Sequence, residues 1–254
     1  MHRFFLPPEL ARDSVIFLTD REAHHAVHVL RLGLAEKVLI LDGTGQQIEA
    51  EVLSAARDRV GLQVLSRSPG PSLPCQITLL QAIPKGKLIE SIVQKATELG
   101  IFRIVPLLSE RVVRKLDEDQ SNREAQKLRA VAIEAIKQCG CCWLPIVETP
   151  TTINDFLARG ESCDLPFVAS LKEHSRHPRD WFRSFIDRQT RLPKSICIWI
   201  GPEGDFTPTE LDSIEKSGAL PITLGPFVLR TETAAIYSLS VINYEARLLS
   251  RSIS

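Results

Sequence analysis

Two glycine-bearing segments toward the C-terminal end hold the residue types best suited to chemistry. The first is Ile200-Gly201-Pro202-Glu203-Gly204-Asp205-Phe206, and the second is Leu224-Gly225-Pro226-Phe227-Val228-Leu229-Arg230-Thr231-Glu232-Thr233-Ala234. Each follows an apolar run, and glycine lets a backbone approach a ligand where a Cβ would block it. The second segment carries Arg230 and Glu232, and the first carries Glu203. A cation beside a ligand turn can stabilise developing negative charge, and a carboxylate can accept a proton. Two ordinary strand-to-helix connections, with Arg230 and Glu232 as a structural ion pair, would use the same residues.

The elements that must position these groups are legible. Thr207-Pro208-Thr209-Glu210 fits a capping box with proline at the first helical position, and Gly218 marks the end of that helix. A helix over 231–249 places Ala235, Leu239, Ile242, Ala246 and Leu249 on one face. Upstream, 77–83, 101–108, 165–171, 195–200 and 220–224 read as apolar strands. Helices at 86–99 and 125–138 alternate with them, the first carrying Leu88, Ile92, Ala96 and Leu99 and closed by Gly100. This alternation predicts an α/β domain with a mostly parallel sheet covered on both faces. Ligands of such sheets collect beyond the carboxyl ends of the strands. Ser170 and Leu171, after the 165–171 run, should therefore meet the two glycine turns.

The first part of the chain has a different pattern. Strands are expected at 37–43, 47–53 and 60–65, with Asp42-Gly43 as a hairpin signal. Gly43-Thr44-Gly45 lacks the lysine and following helix of a phosphate loop. His24, His25 and His28 fall on a short helix without a carboxylate or fourth ligand to complete a metal site. The run 66–74, with three prolines, reads as a linker, so a domain over 1–70 and another over 71–254 are expected.

With 254 residues, 44% of them hydrophobic, the chain can bury one large core or two modest ones. No apolar run approaches a membrane span, and the apolar part of the first eight residues is too short for a signal peptide. The expectation is a cytoplasmic protein with no membrane association and free thiols at its six cysteines. Cys139 and Cys142 have the spacing of a zinc pair, but Cys75, Cys163 and Cys197 are isolated in or beside apolar runs, so no metal is expected. The formal net charge is zero, yet residues 85–138 carry 11 Lys/Arg against 8 Asp/Glu and residues 172–194 carry 7 against 3. Such segregation creates local positive fields that attract phosphate, although solvated helix faces produce the same runs.

Together the two glycine motifs resemble the cofactor-binding turns of the SPOUT class of RNA methyltransferases, and within it the RsmE family. The likeness continues through Arg3-Phe4-Phe5, His25-Ala26-Val27-His28-Val29-Leu30-Arg31, Gln94-Lys95-Ala96-Thr97-Glu98-Leu99-Gly100, Pro106-Leu107-Leu108-Ser109-Glu110-Arg111 and Glu134-Ala135-Ile136-Lys137-Gln138-Cys139-Gly140. It implies a trefoil-knotted domain preceded by a small PUA-like β-barrel. It also implies S-adenosylmethionine as cofactor and methylation at N3 of a uridine in small-subunit ribosomal RNA, with a homodimer as the assembly. The implied cofactor residues are Ser170, Leu171, Ile200, Gly201, Gly204, Leu224, Gly225, Leu229, Thr231, Thr233 and Ala234. For that reaction Arg230 is the candidate for stabilising charge on a uracil carbonyl oxygen, Glu203 and Glu232 are the candidates for accepting the N3 proton or holding Arg230 in place, and Arg3, Arg31, Lys85, Lys87 and Arg111 are the expected RNA contacts. Two positions depart from the pattern: Cys141 follows Gly140 in place of an arginine, and Asp205 replaces the second glycine of a Gly-Gly pair. These departures leave open another ribosomal or transfer RNA base as target, and a non-catalytic RNA-binding assembly protein is the alternative of a different class.

Overall fold

The structure, a computed structural model, describes residues 1–111, 116–172 and 174–252, with side chains described as far as Leu248. Its internal contacts divide the chain into two units, Met1–Ser72 with Ile133–Leu144, and Leu73–Ala132 with Pro145–Ser254.

The first unit is built on a five-stranded sheet of β1 (His2–Phe5), β2 (Val15–Thr19), β3 (Lys37–Leu41), β4 (Gln46–Ala55) and β5 (Arg59–Pro69), in the order β1-β3-β4-β5-β2. Only β1 and β3 pair in parallel. Alternation drives the packing: Ile48, Ala50 and Val52 of β4 are buried with Phe4, Ile16, Leu18, Ile40 and Leu62, while the residues between them face outward. Two register irregularities between β4 and β5 bend the pair around that core. A short helix α1 (Asp20–His24) runs on into a π-helical turn over His25–Val29.

The linker expected at 66–74 begins later than its composition suggests, because Ser66–Pro69 continues β5 opposite Gln46–Glu49. The pairing with β2 ends at Gln63, so this stretch is an edge, where a proline without N–H is tolerated. Residues 133–144 also join the first unit, for reasons of burial rather than local composition. The Lys137 ammonium, almost fully buried, donates to Glu22 Oε1 at 2.7 Å, and Arg3 Nη1 donates to the Gln138 carbonyl at 2.8 Å. Trp143 Nε1 donates to the Pro71 carbonyl, and its ring lies so close to Gly45 that a Cβ there would meet it at 2.4 Å.

The second unit is a seven-stranded sheet of β6 (Gln76–Ala82), β7 (Arg103–Leu108), β8 (Ile146–Val147), β9 (Thr151–Thr152), β10 (Leu165–Ala169), β11 (Ser195–Ile200) and β12 (Leu220–Ile222). The order is β12-β10-β11-β6-β7-β8, with β9 also beside β7, and every pairing is parallel. Residues 77–82 of β6 are all buried, as a strand covered on both faces requires. The helices are α2 (Leu88–Glu98), α3 (Glu118–Cys139), α4 (Ile153–Ala158), α5 (Pro178–Gln189), α6 (Pro208–Lys216) and α7 (Thr231–Ser252), the last turns of α3 counting with the first unit.

Local signals explain most of these helices. In α6 the capping box forms in full: Thr207 Oγ1 accepts from Glu210 N, and Glu210 Oε2 accepts from Thr207 N. On α7, Ala235, Leu239, Ile242 and Ala246 are buried as their spacing predicts; the Leu249 side chain lies outside the described residues. Tyr237 and Tyr244 of the same helix stay exposed. Helix α5 is an addition to the expected elements, because the basic run 172–194 conceals its pattern. Pro178 opens it, the His177 ring accepts from Arg179 N, and Phe182 and Phe185 turn inward while Arg183 and Arg188 face solvent.

Candidate active site

The carboxyl ends of β10, β11 and β12 deliver three loops to one cleft. It is lined by Ser170 and Leu171 after β10, by Ile200 to Glu203 and Asp205 after β11, and by Leu224, Gly225, Phe227, Val228 and Leu229 after β12. Thr231 and Ala234 of α7 complete it. Among the residues expected here, Gly204 and Thr233 are not part of the lining. Gly204 instead offers its carbonyl to the Arg111 guanidinium beyond β7, and Thr233 is exposed on the first turn of α7.

A hydrogen-bonded chain holds two of these walls together. Thr231 Oγ1 donates to the Gly201 carbonyl at 2.6 Å and accepts from Gln81 Nε2 at 3.0 Å. Gln81, fully buried on β6, also donates to the Ala82 carbonyl. Its Oε1 has no hydrogen-bond partner, an uncommon state for a buried polar atom. In the sequence the only sign of Gln81 is a lone glutamine inside an apolar strand.

Each glycine turn has its own backbone reason. Gly225 takes a φ of +108°, which side-chain-bearing residues rarely adopt, and open space lies where its Cβ would be. Gly201 is constrained by proximity, since a Cβ there would meet Asp205 Oδ1 at 2.8 Å and Phe206 N at 3.1 Å. Asp205 itself sits in the left-handed region at φ 62°, a conformation aspartate tolerates better than most residues, and its Oδ1 accepts from Phe206 N at 2.7 Å. The departure from Gly-Gly is thereby accommodated.

The groups expected to act are near the cleft but arranged differently. Glu203 lines it and accepts from Lys85 N at 2.9 Å, so this carboxylate holds the loop after β6. Arg230 is exposed at the start of α7, its carbonyl accepting from Ala234 N. Among the described residues no ion pair joins Arg230 to Glu203 or Glu232, so the structural ion pair is not formed here. Lys85 and Lys87 are exposed just before α2, and Arg31 is exposed in the first unit. Arg3, although exposed, spends its guanidinium on the carbonyls of Lys137 and Gln138 at the end of α3.

Comparison with known proteins places this architecture. The profile of the RNA methyltransferase domain family matches residues 71–243, and that of the RNA methyltransferase PUA domain matches residues 18–65. Ribosomal RNA small subunit methyltransferase E of Bacillus subtilis is 30% identical over 98% of both chains. The chain belongs to the ribosomal RNA small subunit methyltransferase E family. A methyltransferase of Legionella pneumophila, solved with S-adenosylmethionine bound, superposes with a TM-score of 0.85 at 30% identity, over 95% of this chain and 96% of that one. The family's member from Neisseria gonorrhoeae, also bound to S-adenosylmethionine, gives 0.83 at 25% identity over 96% and 97%. The α/β methyltransferase domain and the PUA domain of this family account for the two sheets. No described helix is long and apolar enough to cross a membrane.

Proposed function

We propose that this chain transfers the methyl group of S-adenosylmethionine to N3 of a uridine in small-subunit ribosomal RNA, using the cleft at the carboxyl ends of β10, β11 and β12. The observation that carries this reading is the convergence of the three loops, with Thr231 tying the two glycine turns together. The residues present suit the cofactor. Leu171, Phe227 and Val228 are 64%, 77% and 79% exposed in a lining that includes Gly201 and Gly225, so they offer apolar faces that a flat adenine ring would cover. The open space at Gly225 leaves room for close approach. Ser170, Ile200, Gly201, Leu224, Leu229, Thr231 and Ala234 would hold the cofactor with them; Gly204 and Thr233 would act from just outside.

The cofactor supplies an already activated methyl group. What remains for the protein is alignment and removal of the proton that uridine N3 carries at neutral pH. Arg230, exposed beside the cleft, would stabilise negative charge developing on a uracil carbonyl oxygen. Glu203 and Glu232 are the candidate proton acceptors, and Glu232 is the freer of the two because Glu203 already accepts from Lys85 N. Lys85, Lys87, Arg31 and Arg111 would contribute to phosphate contact, with Arg3 mainly supporting the end of α3. Tyr237 and Tyr244 stay exposed on α7, and this helix would present them to a second copy in a cytoplasmic homodimer.

Mapping modified nucleotides in small-subunit ribosomal RNA from cells with and without this protein tests the assignment. The expected result is one N3-methyluridine that disappears with the gene; an unchanged map overturns it. For the catalytic role, Arg230→Ala should lower the single-turnover rate at least about tenfold while S-adenosylmethionine affinity stays within about twofold. Solution mass measurement tests the homodimer.

A further inference from the structure

The edge of the parallel sheet opposite the glycine turns holds a second cavity, of about 500 Å³ against about 90 Å³ for the cleft. Phe156, Trp199, Arg103 and Glu161 line it together with Cys163 and Cys197. Cys163 lies just before β10 and Cys197 lies on β11, which pairs with it. Their sulfurs are 3.1 Å apart, although both thiols are free. Methyl transfer at the far edge makes no use of either side chain.

We propose that Cys163 and Cys197 form a dithiol site that peroxide oxidises reversibly to a disulfide. The sulfurs are already in contact, so the bond forms by a small approach of two side chains that share one open cavity. Cys163 is the attacking thiol: the Cys163 thiolate cleaves the O–O bond of hydrogen peroxide, giving a sulfenic acid and hydroxide. That hydroxide removes the Cys197 proton. The Cys197 thiolate then attacks the sulfenic sulfur and expels a second hydroxide, which takes up the proton Cys163 gave away. In total, two thiols and one peroxide become one disulfide and two waters. A dithiol reductant reverses it by exchange.

The electrostatics support this division of roles. The hydrogen bond between the two sulfurs draws the Cys163 thiol below its usual value, against the opposing effect of burial. The same hydrogen bond, together with partial burial, pushes Cys197 well up. Cys75, the third cysteine near this edge, is pushed up to about 12, mainly by burial, so it remains an unreactive thiol. A pair that oxidises transiently fits a protein whose cysteines otherwise stay reduced.

The test uses the full-length protein, fully reduced and then exposed to hydrogen peroxide under native conditions before alkylation and tryptic digestion. Cleavage after Arg159, Lys172, Lys194 and Lys216 leaves Cys163 and Cys197 in separate peptides, 160–172 and 195–216. The expected product is these two peptides linked and lighter by two hydrogens, separated again by dithiothreitol. Cys163→Ser should abolish the link and leave Cys197 available for alkylation. The proposal is overturned if both peptides come back only as alkylated thiols, if Cys163 is found only as sulfinic acid, or if its partner is Cys75. Because the wild-type protein supplies the decisive measurement, a variant that folds poorly does not blunt it.

Discussion

Thr231 Oγ1 donates a 2.6 Å hydrogen bond to the carbonyl of Gly201, joining the first residue of α7 to the turn that leaves β11. Thr231 is buried and also accepts from Gln81 Nε2, so one hydroxyl on α7 satisfies two groups, one on β6 and one in the turn after β11. Replacing it with the isosteric valine leaves the Gly201 carbonyl and a Gln81 donor short of a partner. Thr231→Val should cost about 1–3 kcal/mol in urea unfolding, and Thr231→Ser should recover most of it. Equal stability of Thr231→Val and wild type would show that the hydroxyl is dispensable.

The two turn glycines should respond differently to the same substitution. At Gly201 an added Cβ meets Asp205 Cα at 3.2 Å as well as Phe206 N, and backbone cannot step aside cheaply. Gly201→Ala should therefore lower the melting temperature and weaken S-adenosylmethionine binding by more than about tenfold in calorimetry, a loss of roughly 1.4 kcal/mol or more. Gly225→Ala meets no atom but must hold φ at +108°, so about 1–3 kcal/mol of strain is expected without a clash. Wild-type affinity in Gly201→Ala would remove this turn from the binding site.

Asp205 tests how the departure from Gly-Gly is tolerated. Asp205→Gly frees the left-handed φ of 62° but loses the Oδ1 bond to Phe206 N, and these opposed effects should leave stability within about 1 kcal/mol of wild type. Asp205→Val has neither advantage and should be clearly less stable than Asp205→Gly in thermal melts. The reverse order would mean that the turn does not keep this φ in solution.

A pH effect is expected at the amino edge of β10. Hydrogen bonding from Arg191 is the main reason that the Asp164 carboxyl is lowered to about 2 from an ordinary 3.8; Lys194 N and Ser195 also contribute. Because the folded value is the lower one, this contribution to stability is complete above about pH 4 and fades as pH falls toward 2. Arg191→Gln should flatten the acid limb of a plot of urea midpoint against pH. The wild-type limb should be steeper, and coincident limbs would refute the pairing.

The sequence by itself determined the elements that depend on near neighbours and the family they spell out. Thr207 and Glu210 cap α6 as their spacing predicts, β11 occupies 195–200, and Ala235, Leu239, Ile242 and Ala246 turn inward on α7. These are legible because a capping box or a helical stripe is settled within a few residues. The rule that ligands gather at the carboxyl ends of parallel strands was enough to bring Ser170, Gly201 and Gly225 to one cleft.

Tertiary structure alone decided what depends on distant partners. Nothing local signals that residues 133–144 belong with the first unit; Lys137 reaching Glu22 does, across 115 positions. Gln81 looks like a stray polar residue in an apolar strand until Thr231, 150 positions later, meets it. Cys163 and Cys197 read as isolated thiols, and only the parallel register of β10 and β11 brings their sulfurs together. Pairings of this range are chosen by burial and by the satisfaction of buried polar groups, which act on the assembled chain rather than on a window of it.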